Sequence, residues 1–194
     1  MAKQEEQTQE KRPVFDPLRL ERLKVESEYP MEVEEFKELF HSARYCEMAH
    51  VNSKGYPIVT PMFFVVADDY LHMSSIKGYR YKIHSLERNP KMSVSIHNDG
   101  MQLRHQKAIL LVGHGEVSYD RDLRTRIHWA IIDKYWRELV GDEREAGFRA
   151  VDTPLRAIIK VIPERVISWD FGKMVQAHDD GVWFGEAYSY PKRG

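Results

Sequence analysis

The chain has 194 residues, enough for one domain with appended segments, and its 42% hydrophobic and 11% aromatic content excludes global disorder. Its 29 basic and 30 acidic residues give a net charge of −1, so no overall field attracts nucleic acid. The single cysteine, Cys46, excludes an intramolecular disulfide and a cysteine-rich metal site. Because no secretory segment or membrane-length apolar run is visible, we expect a cytoplasmic protein that binds neither membrane nor nucleic acid.

Composition divides the chain into three parts. Residues 1–29 predict a disordered tail followed by an N-terminal arm, because residues 1–12 are almost wholly polar and only a few apolar anchors follow. Residues 30–172 contain no strong linker and predict a single domain. Residues 173–194 are rich in aromatic side chains, and we expect this tail to dock on the domain or on a partner subunit.

The first half of the domain carries one helix signal and several strand signals. Pro30 begins a helix that we expect to reach about Ser42, because glutamates fill its first turn and its apolar residues share one face. Segments of β character follow, and Asn, Asp and Gly turn signals separate them: residues 44–51, 57–67, 70–75 and 92–97.

The second half adds a long strand, a helix and a hairpin. Residues 108–119 predict a strand in which Gly113 and Gly115 mark a bulge or a bend. Residues from about 120 to 140 predict a helix with several apolar faces, which suits packing on its own domain and on a partner subunit. Residues 156–162 and 165–171 predict a final hairpin. The whole pattern predicts a mainly β (α+β) barrel of six to seven antiparallel strands with two or three flanking helices.

A cluster of basic residues stands where the short helix after Gly78 begins. Lys77, Arg80 and Lys82 occupy a place that normally favours acidic residues, because the free N–H groups of the first turn are the positive end of the helix dipole. A bound phosphate would remove this conflict. Solvated surface charges are the alternative. Arg80 and Lys82 can reach one anion only if the helix begins near Tyr81.

The order of these motifs resembles the FMN-binding split-barrel superfamily, the pyridoxamine 5′-phosphate oxidase-like proteins, and also its F420-using branch. The resemblance covers about residues 30–172 and rests on the motifs PIVTPM, YLHMSS, KGYRYK, LERNP and MSVSI, in that order. It implies a split-barrel cofactor-binding domain and a homodimer whose cofactor site lies at the subunit interface.

The resemblance also implies roles for individual residues. Lys82 stands eight residues before the Asn-Pro that ends the helix, where the family places its phosphate-binding lysine, and Arg80 would be the second phosphate ligand. Other positions match strands and turns that border the ring or its chain in the family, and they complete the expected cofactor-binding set: Thr60, Pro61, Ser74, Ser75, Tyr79 and Trp169. Lys173 follows Trp169 on what resembles the closing strand of the F420 branch.

Two departures separate the chain from true pyridoxamine phosphate oxidases. Ile109 and Leu110 stand where those enzymes carry an Arg-Gln pair, and their C-terminal Arg-x-His-x-Arg motif is replaced by residues 167–173. We therefore expect no vitamin B6 oxidation.

Other chemistry finds little support in the sequence. The nine histidines form no His-x-His or His-x-x-x-His pair, so we expect no metal site. His97, at a strand end, is the one histidine that we place close to the cofactor, and a haem with one axial histidine stays open. A Ser-His-Asp hydrolase lacks its Gly-x-Ser-x-Gly elbow. Cys46 is expected to be an inert, half-buried thiol.

These observations predict an oxidoreductase that uses FMN, with F420 as the alternative, and transfers hydride to or from a small organic substrate. Two other functions stay open, a non-catalytic carrier or sensor of flavin, deazaflavin or haem, and a cofactor-free interaction module. No residue identifies itself as the acid or base, and Tyr79, Tyr81 and His97 are only candidates.

Overall fold

The structure is a computed structural model that describes residues 29–78, 81–99 and 106–179. Seven strands and five helices lie in these ranges, in this chain order: α1 Val33–Ser42, β1 Cys46–Val51, β2 Pro57–Met62, β3 Phe64–Ala67, β4 Tyr70–Ile76, α2 Tyr81–Arg88, β5 Lys91–His97, β6 Lys107–Ser118, α3 Arg121–Tyr135, α4 Gly141–Val151, β7 Arg156–Asp170 and α5 Phe171–Asp179. Within those ranges, every helix is too short or too polar to span a lipid bilayer.

The seven strands make one antiparallel sheet whose two edges meet. Its strand order is β2-β1-β5-β6-β7-β4-β3, so the edge strands are β2 and β3. These two strands are consecutive in the chain, and only Phe63 lies between them. The sheet therefore has to curl until its edges come together, which makes a barrel with a split between β2 and β3. The predicted mainly β split barrel is confirmed.

Two strand predictions were wrong in detail. Residues 57–67 form two strands, because the chain leaves one edge of the sheet at Met62 and joins the opposite edge at Phe64. Residues 156–171 form no hairpin, because β7 runs without a turn from Arg156 to Asp170 and pairs with β6 along its length. Helices α4 and α5 were not predicted, and α5 spans the expected boundary between residues 172 and 173.

The predicted irregularity in β6 coincides with a β-bulge whose extra residue, Glu164, lies on β7. The register between β6 and β7 shifts between Val112 and Gly113. A Cβ atom placed on Gly113 would lie 2.1 Å from the carbonyl oxygen of Ile162, so only glycine lets the two backbones approach this closely. The bulge bends both strands and helps the long sheet to close.

The barrel core follows from the alternation of apolar residues along the strands. Alternate residues of β1 and β5 point inward, and they pack with the apolar face of α1, where Leu39 and Phe40 are fully buried. A second cluster lies under α3 and includes Ile127, Ile131 and Ile158. Helix α3 thus covers the outside of β3 and β7, and a further contact of this helix with a partner subunit stays a prediction.

A buried ion pair ties the end of the sheet to α1. The ammonium of Lys107, only 3% exposed, lies 2.6 Å from a carboxylate oxygen of Asp170 and 3.2 Å from one of Glu35. Burial favours neutral forms, but the hydrogen bonds outweigh it, raising the pKa of Lys107 and lowering the pKa of Asp170. Nearby, Lys173 Nζ donates hydrogen bonds to the Pro30 carbonyl and the Glu32 carboxylate.

Candidate cofactor-binding site

A cavity of about 420 Å³ opens at the split, between the end of β2, strand β4 and helix α3. Five of the eight predicted cofactor-binding residues line it: Thr60, Pro61, Ser74, Ser75 and Lys82. The two strand pairs come from different ends of the sheet order and meet only because the sheet curls. The fold therefore gathers in one place residues that are as much as 22 positions apart.

Lys82 lies in the first turn of α2 and is only 9% exposed. That turn contains no acidic residue, and Gly78 precedes the helix with a φ of 107°, a left-handed conformation that suits glycine. Helix α2 begins at Tyr81, which is the start that the sequence analysis required if residues 80 and 82 are to reach one anion. A largely buried lysine beside a helix N-terminus makes this end of the cavity electropositive.

A second cavity, of about 640 Å³, adjoins the first and shares Thr60 and Lys82 with it. Its lining is basic and includes Lys54, Arg88 and His50. Burial lowers the pKa of His50, and the positive charges of Lys82 and Arg88 lower it further. The part of the shift that comes from Lys82 and Arg88 reflects the same positive potential, and the basic lining suits an anionic ligand on both sides of Lys82.

Two other residues that the sequence singled out, Trp169 and Lys173, lie away from the cavity. Tyr79 and Arg80 lie outside the described residues. Trp169 is half-buried on β7, pairs with Ala108 of β6, and lines neither cavity. Lys173 lies on α5 and binds the start of α1 instead of facing the site. The involvement of Tyr79, Arg80 and Trp169 in ligand binding stays a prediction.

The structure adds two polar residues that the sequence did not single out, His128 and Asp152. His128, on α3, lines the first cavity, and its Nε2 lies 2.7 Å from the hydroxyl oxygen of Ser74. Its Nδ1 lies 2.9 Å from a carboxylate oxygen of Asp152, the residue that follows α4. The three residues are separated by 54 and 24 positions, so no local motif could have revealed them.

The surroundings of His97 and Cys46, the other residues that the sequence analysis considered, indicate structural roles. His97 pairs with Glu47, at 3.2 Å, and lines neither cavity. Cys46 is fully buried, not half-buried, and burial raises the pKa of its thiol, which suits an inert residue. Across the part of the chain that the structure describes, no three His, Cys, Asp or Glu side chains are grouped to hold a metal ion.

Comparison with known proteins identifies the family. The sequence model described as pyridoxamine 5′-phosphate oxidase matches residues 33–170. The chain belongs to the pyridoxamine 5′-phosphate oxidase family. This family match covers the whole barrel, from α1 to the end of β7. A search of curated protein sequences found no match.

Solved structures share the fold at low sequence identity. A conserved hypothetical protein, Rv2991 of Mycobacterium tuberculosis, is 21% identical with a TM-score of 0.67, over 78% of this chain and 92% of its own. A protein described as F420 reductase is 19% identical with a TM-score of 0.51, over 73% and 98%. HutZ, the heme storage protein of Vibrio cholerae, is 18% identical with a TM-score of 0.53, over 69% and 91%. At these identities the likeness extends to the fold alone.

Proposed function

We propose that this pyridoxamine 5′-phosphate oxidase family member binds a flavin-type cofactor, FMN or alternatively F420, and works as an oxidoreductase on a small organic substrate. One observation carries the proposal: the nearly buried Lys82 lies at a helix N-terminus in the same cavity as Thr60, Pro61, Ser74 and Ser75. Family membership and a structural neighbour described as an F420 reductase support it.

Lys82 would hold the phosphate of the cofactor. Lys82 lies in the first turn of α2, so its positive charge and the first N–H groups of the helix can bind the same anion. The strand ends at Thr60–Pro61 and Ser74–Ser75 form walls on either side of the cavity and would orient the ring. When bound, the cofactor supplies the hydride chemistry.

A second copy of the chain would complete the site. Large apolar side chains are exposed at β2 and at the second cavity: Tyr56, just before β2, is 64% exposed, Val59 of β2 is 62%, and Tyr81, which lines the cavity, is 78%. β2 is also an edge strand of the sheet. Exposed apolar residues on an edge strand are typical of a protein interface. We therefore propose a homodimer with the cofactor site at the subunit interface.

The substrate is expected to differ from pyridoxamine phosphate. The position at which true pyridoxamine phosphate oxidases carry an Arg-Gln pair is occupied by Ile109 and Leu110 of β6, and Ile109 is fully buried in the core. The replacement is structural in character, because a buried isoleucine makes no polar contact with a substrate.

Titration with FMN, F420 and haem, followed by absorption spectroscopy, tests the proposal. FMN or F420 should bind, and the three ligands have distinct spectra. Lys82→Ala should weaken binding at least tenfold, a loss of about 1.4 kcal/mol or more for a charge-assisted contact. The matched control is Lys37→Ala, which removes the same charge from an exposed position on α1, where the lysine pairs with Glu34. Affinity should not change in this control.

Three outcomes would count against the proposal. A protein that takes up none of the ligands would be an interaction module. Uptake of haem in preference to both other ligands would favour a haem carrier. Equal affinity in wild type and Lys82→Ala would remove the lysine from the site. Turnover with reduced cofactor and a set of quinones, nitroaromatics and enones then separates a catalyst from a carrier.

A further inference from the structure

Three side chains from separate elements form a hydrogen-bonded chain that ends in the first cavity. Ser74 projects from β4, His128 from α3, and Asp152 follows α4. The Ser74 hydroxyl oxygen lies 2.7 Å from His128 Nε2, and His128 Nδ1 lies 2.9 Å from Asp152 Oδ1. Both distances are those of strong hydrogen bonds. Ser74 is half-buried and lines the cavity, whereas His128 is fully buried.

The charge of Asp152 determines where the protons lie. Arg124 Nε donates a hydrogen bond to its carboxylate at 2.8 Å, and Thr125 donates one at 3.3 Å. Burial opposes ionisation, but the hydrogen bonds from Arg124 and His128 outweigh it and lower the pKa of Asp152. A carboxylate only accepts hydrogen bonds, so Nδ1 of His128 carries a proton. In a neutral imidazole Nε2 is then an acceptor, and the Ser74 hydroxyl donates to it.

The surroundings of His128 favour its neutral form. Burial lowers the pKa of the imidazole, Asp152 raises it, and the charges of Arg156 and Arg124 lower it again, with a net downward shift. At neutral pH the imidazole is therefore free to accept a proton. The imidazole exchanges this proton with the Ser74 hydroxyl at Nε2, because Nδ1 is already hydrogen-bonded to Asp152.

We propose that Ser74 is the acid/base group of this site toward a substrate O–H or N–H group (written X–H), with His128 and Asp152 as its proton relay. This inference rests on the proposed function. The substrate X–H bond breaks and its proton goes to Ser74 Oγ, while the Ser74 proton goes to His128 Nε2. The electron pair of that bond stays on X and becomes the second bond between X and the adjacent carbon, whose hydride would leave to the flavin-type cofactor when it is bound. In the reverse direction, protonated His128 supplies the proton to a carbonyl or imine.

The position of Ser74 favours proton transfer over acyl transfer. Nucleophilic serines of α/β-hydrolases sit on a sharp turn between a strand and a helix. Ser74 instead lies inside β4, where it pairs with Ile158 of β7. The same residue also faces the cavity in which the cofactor is proposed to bind. A proton relay, like a single attack on a reactive phosphorus, needs only the activated hydroxyl, whereas a hydrolase that turns over also needs donors placed around an oxyanion.

A fluorophosphonate probe measures the relay without a known substrate. The Ser74 oxygen attacks phosphorus, fluoride leaves, and the hydroxyl proton passes to His128, so labelling requires neutral His128. We expect cofactor-free protein to be labelled at Ser74, as located by peptide mass spectrometry. The rate should rise with pH and level off above the lowered pKa of His128, below the ordinary histidine value of about 6.5.

Variants separate a relay from a structural hydrogen bond. Ser74→Ala should abolish labelling, and His128→Gln and Asp152→Asn should each slow it roughly 100-fold and remove its pH dependence. His114→Gln is the matched control, because His114 also pairs with a carboxylate, that of Glu164 at 3.0 Å, but lies outside both cavities. Its labelling should equal that of wild type. Wild-type measurements against pH need no variant, so the test survives a variant that fails to fold.

The outcomes also separate this inference from the proposed function. Cofactor binding without labelling of Ser74, or labelling without pH dependence, would overturn the relay and leave the cofactor site intact. Labelling without cofactor binding would remove the redox role and overturn the inference together with the proposed function. Steady hydrolysis of p-nitrophenyl acetate that Ser74→Ala abolishes would reassign the three residues to acyl transfer.

Discussion

Replacement of Lys134 by methionine should stabilise the protein. Lys134 projects from α3, and its ammonium lies 3.8 Å from the centre of the Phe64 ring. The ammonium nitrogen is buried and has no hydrogen-bond partner among the described residues. Burial lowers the pKa of this lysine from 10.5 to about 8. Methionine keeps most of the length of the side chain and removes the buried charge.

The magnitude follows from the pKa shift. Each pKa unit corresponds to about 1.4 kcal/mol, so holding Lys134 charged in the folded state costs about 3 kcal/mol at neutral pH. The contact with the Phe64 ring offsets about 1 kcal/mol of this cost. We therefore expect Lys134→Met to raise the free energy of unfolding by about 2 kcal/mol near pH 7.

The pH dependence gives the sharper test. Below pH 8 the lysine is charged in both the folded and the unfolded state, and wild type bears the full cost. Between that value and 10.5 the unfolded state binds more protons, so the stability of wild type rises with pH and the advantage of the variant shrinks. Urea unfolding of both proteins across this range measures the difference, and Lys37→Met controls for loss of an exposed lysine. A variant no more stable than wild type near pH 7, or an advantage independent of pH, would refute the reasoning.

Two further substitutions test the frame of the barrel. Lys107→Met leaves Asp170 buried without its partner and should lower the free energy of unfolding by about 3 to 5 kcal/mol in urea titrations; a loss under 1 kcal/mol would contradict this role. Gly113→Ala places a Cβ against the Ile162 carbonyl and should cost about 3 kcal/mol or more, visible as a lower Tm. Gly147→Ala, inside α4, is its control and should be neutral or slightly stabilising.

Local signals in the sequence predicted most of the fold. Turn residues and apolar alternation located the strands, and the basic residues around Gly78 located the start of α2. The break at Phe63 left no such signal, because residues 57–67 are nearly continuous in apolar character and the change of sheet edge is a property of the closed sheet. The continuity of β7 was missed because Pro163-Glu164 resembles a turn, although the bulge opposite Gly113 absorbs it.

The residues of the candidate site likewise fall into two groups, those that local signals predicted and those that only the tertiary structure brings together. Lys82 was predicted from a local electrostatic conflict, and the strand residues Thr60 and Ser74 from motif order. His128 and Asp152 could not be predicted, because each looks ordinary in its own segment and acquires a partner only when α3 packs on the sheet and α4 packs on α3. Hydrogen bonds that join three elements depend on the tertiary structure and cannot be predicted from any one segment.

The single residue between β2 and β3 gives the barrel an unusual kind of closure. These two strands pair with β1 and β4 but not with each other, so what holds the seam together is a covalent connection and not a ladder of hydrogen bonds. A chain cut at Phe63 and rejoined elsewhere would keep every strand pair described above and still lose the tether that sets the width of the cavity mouth. The length of this connection therefore influences the width of the cavity mouth. A longer connection would resize the ligand site while the residues on the opposite side of the cavity stay the same.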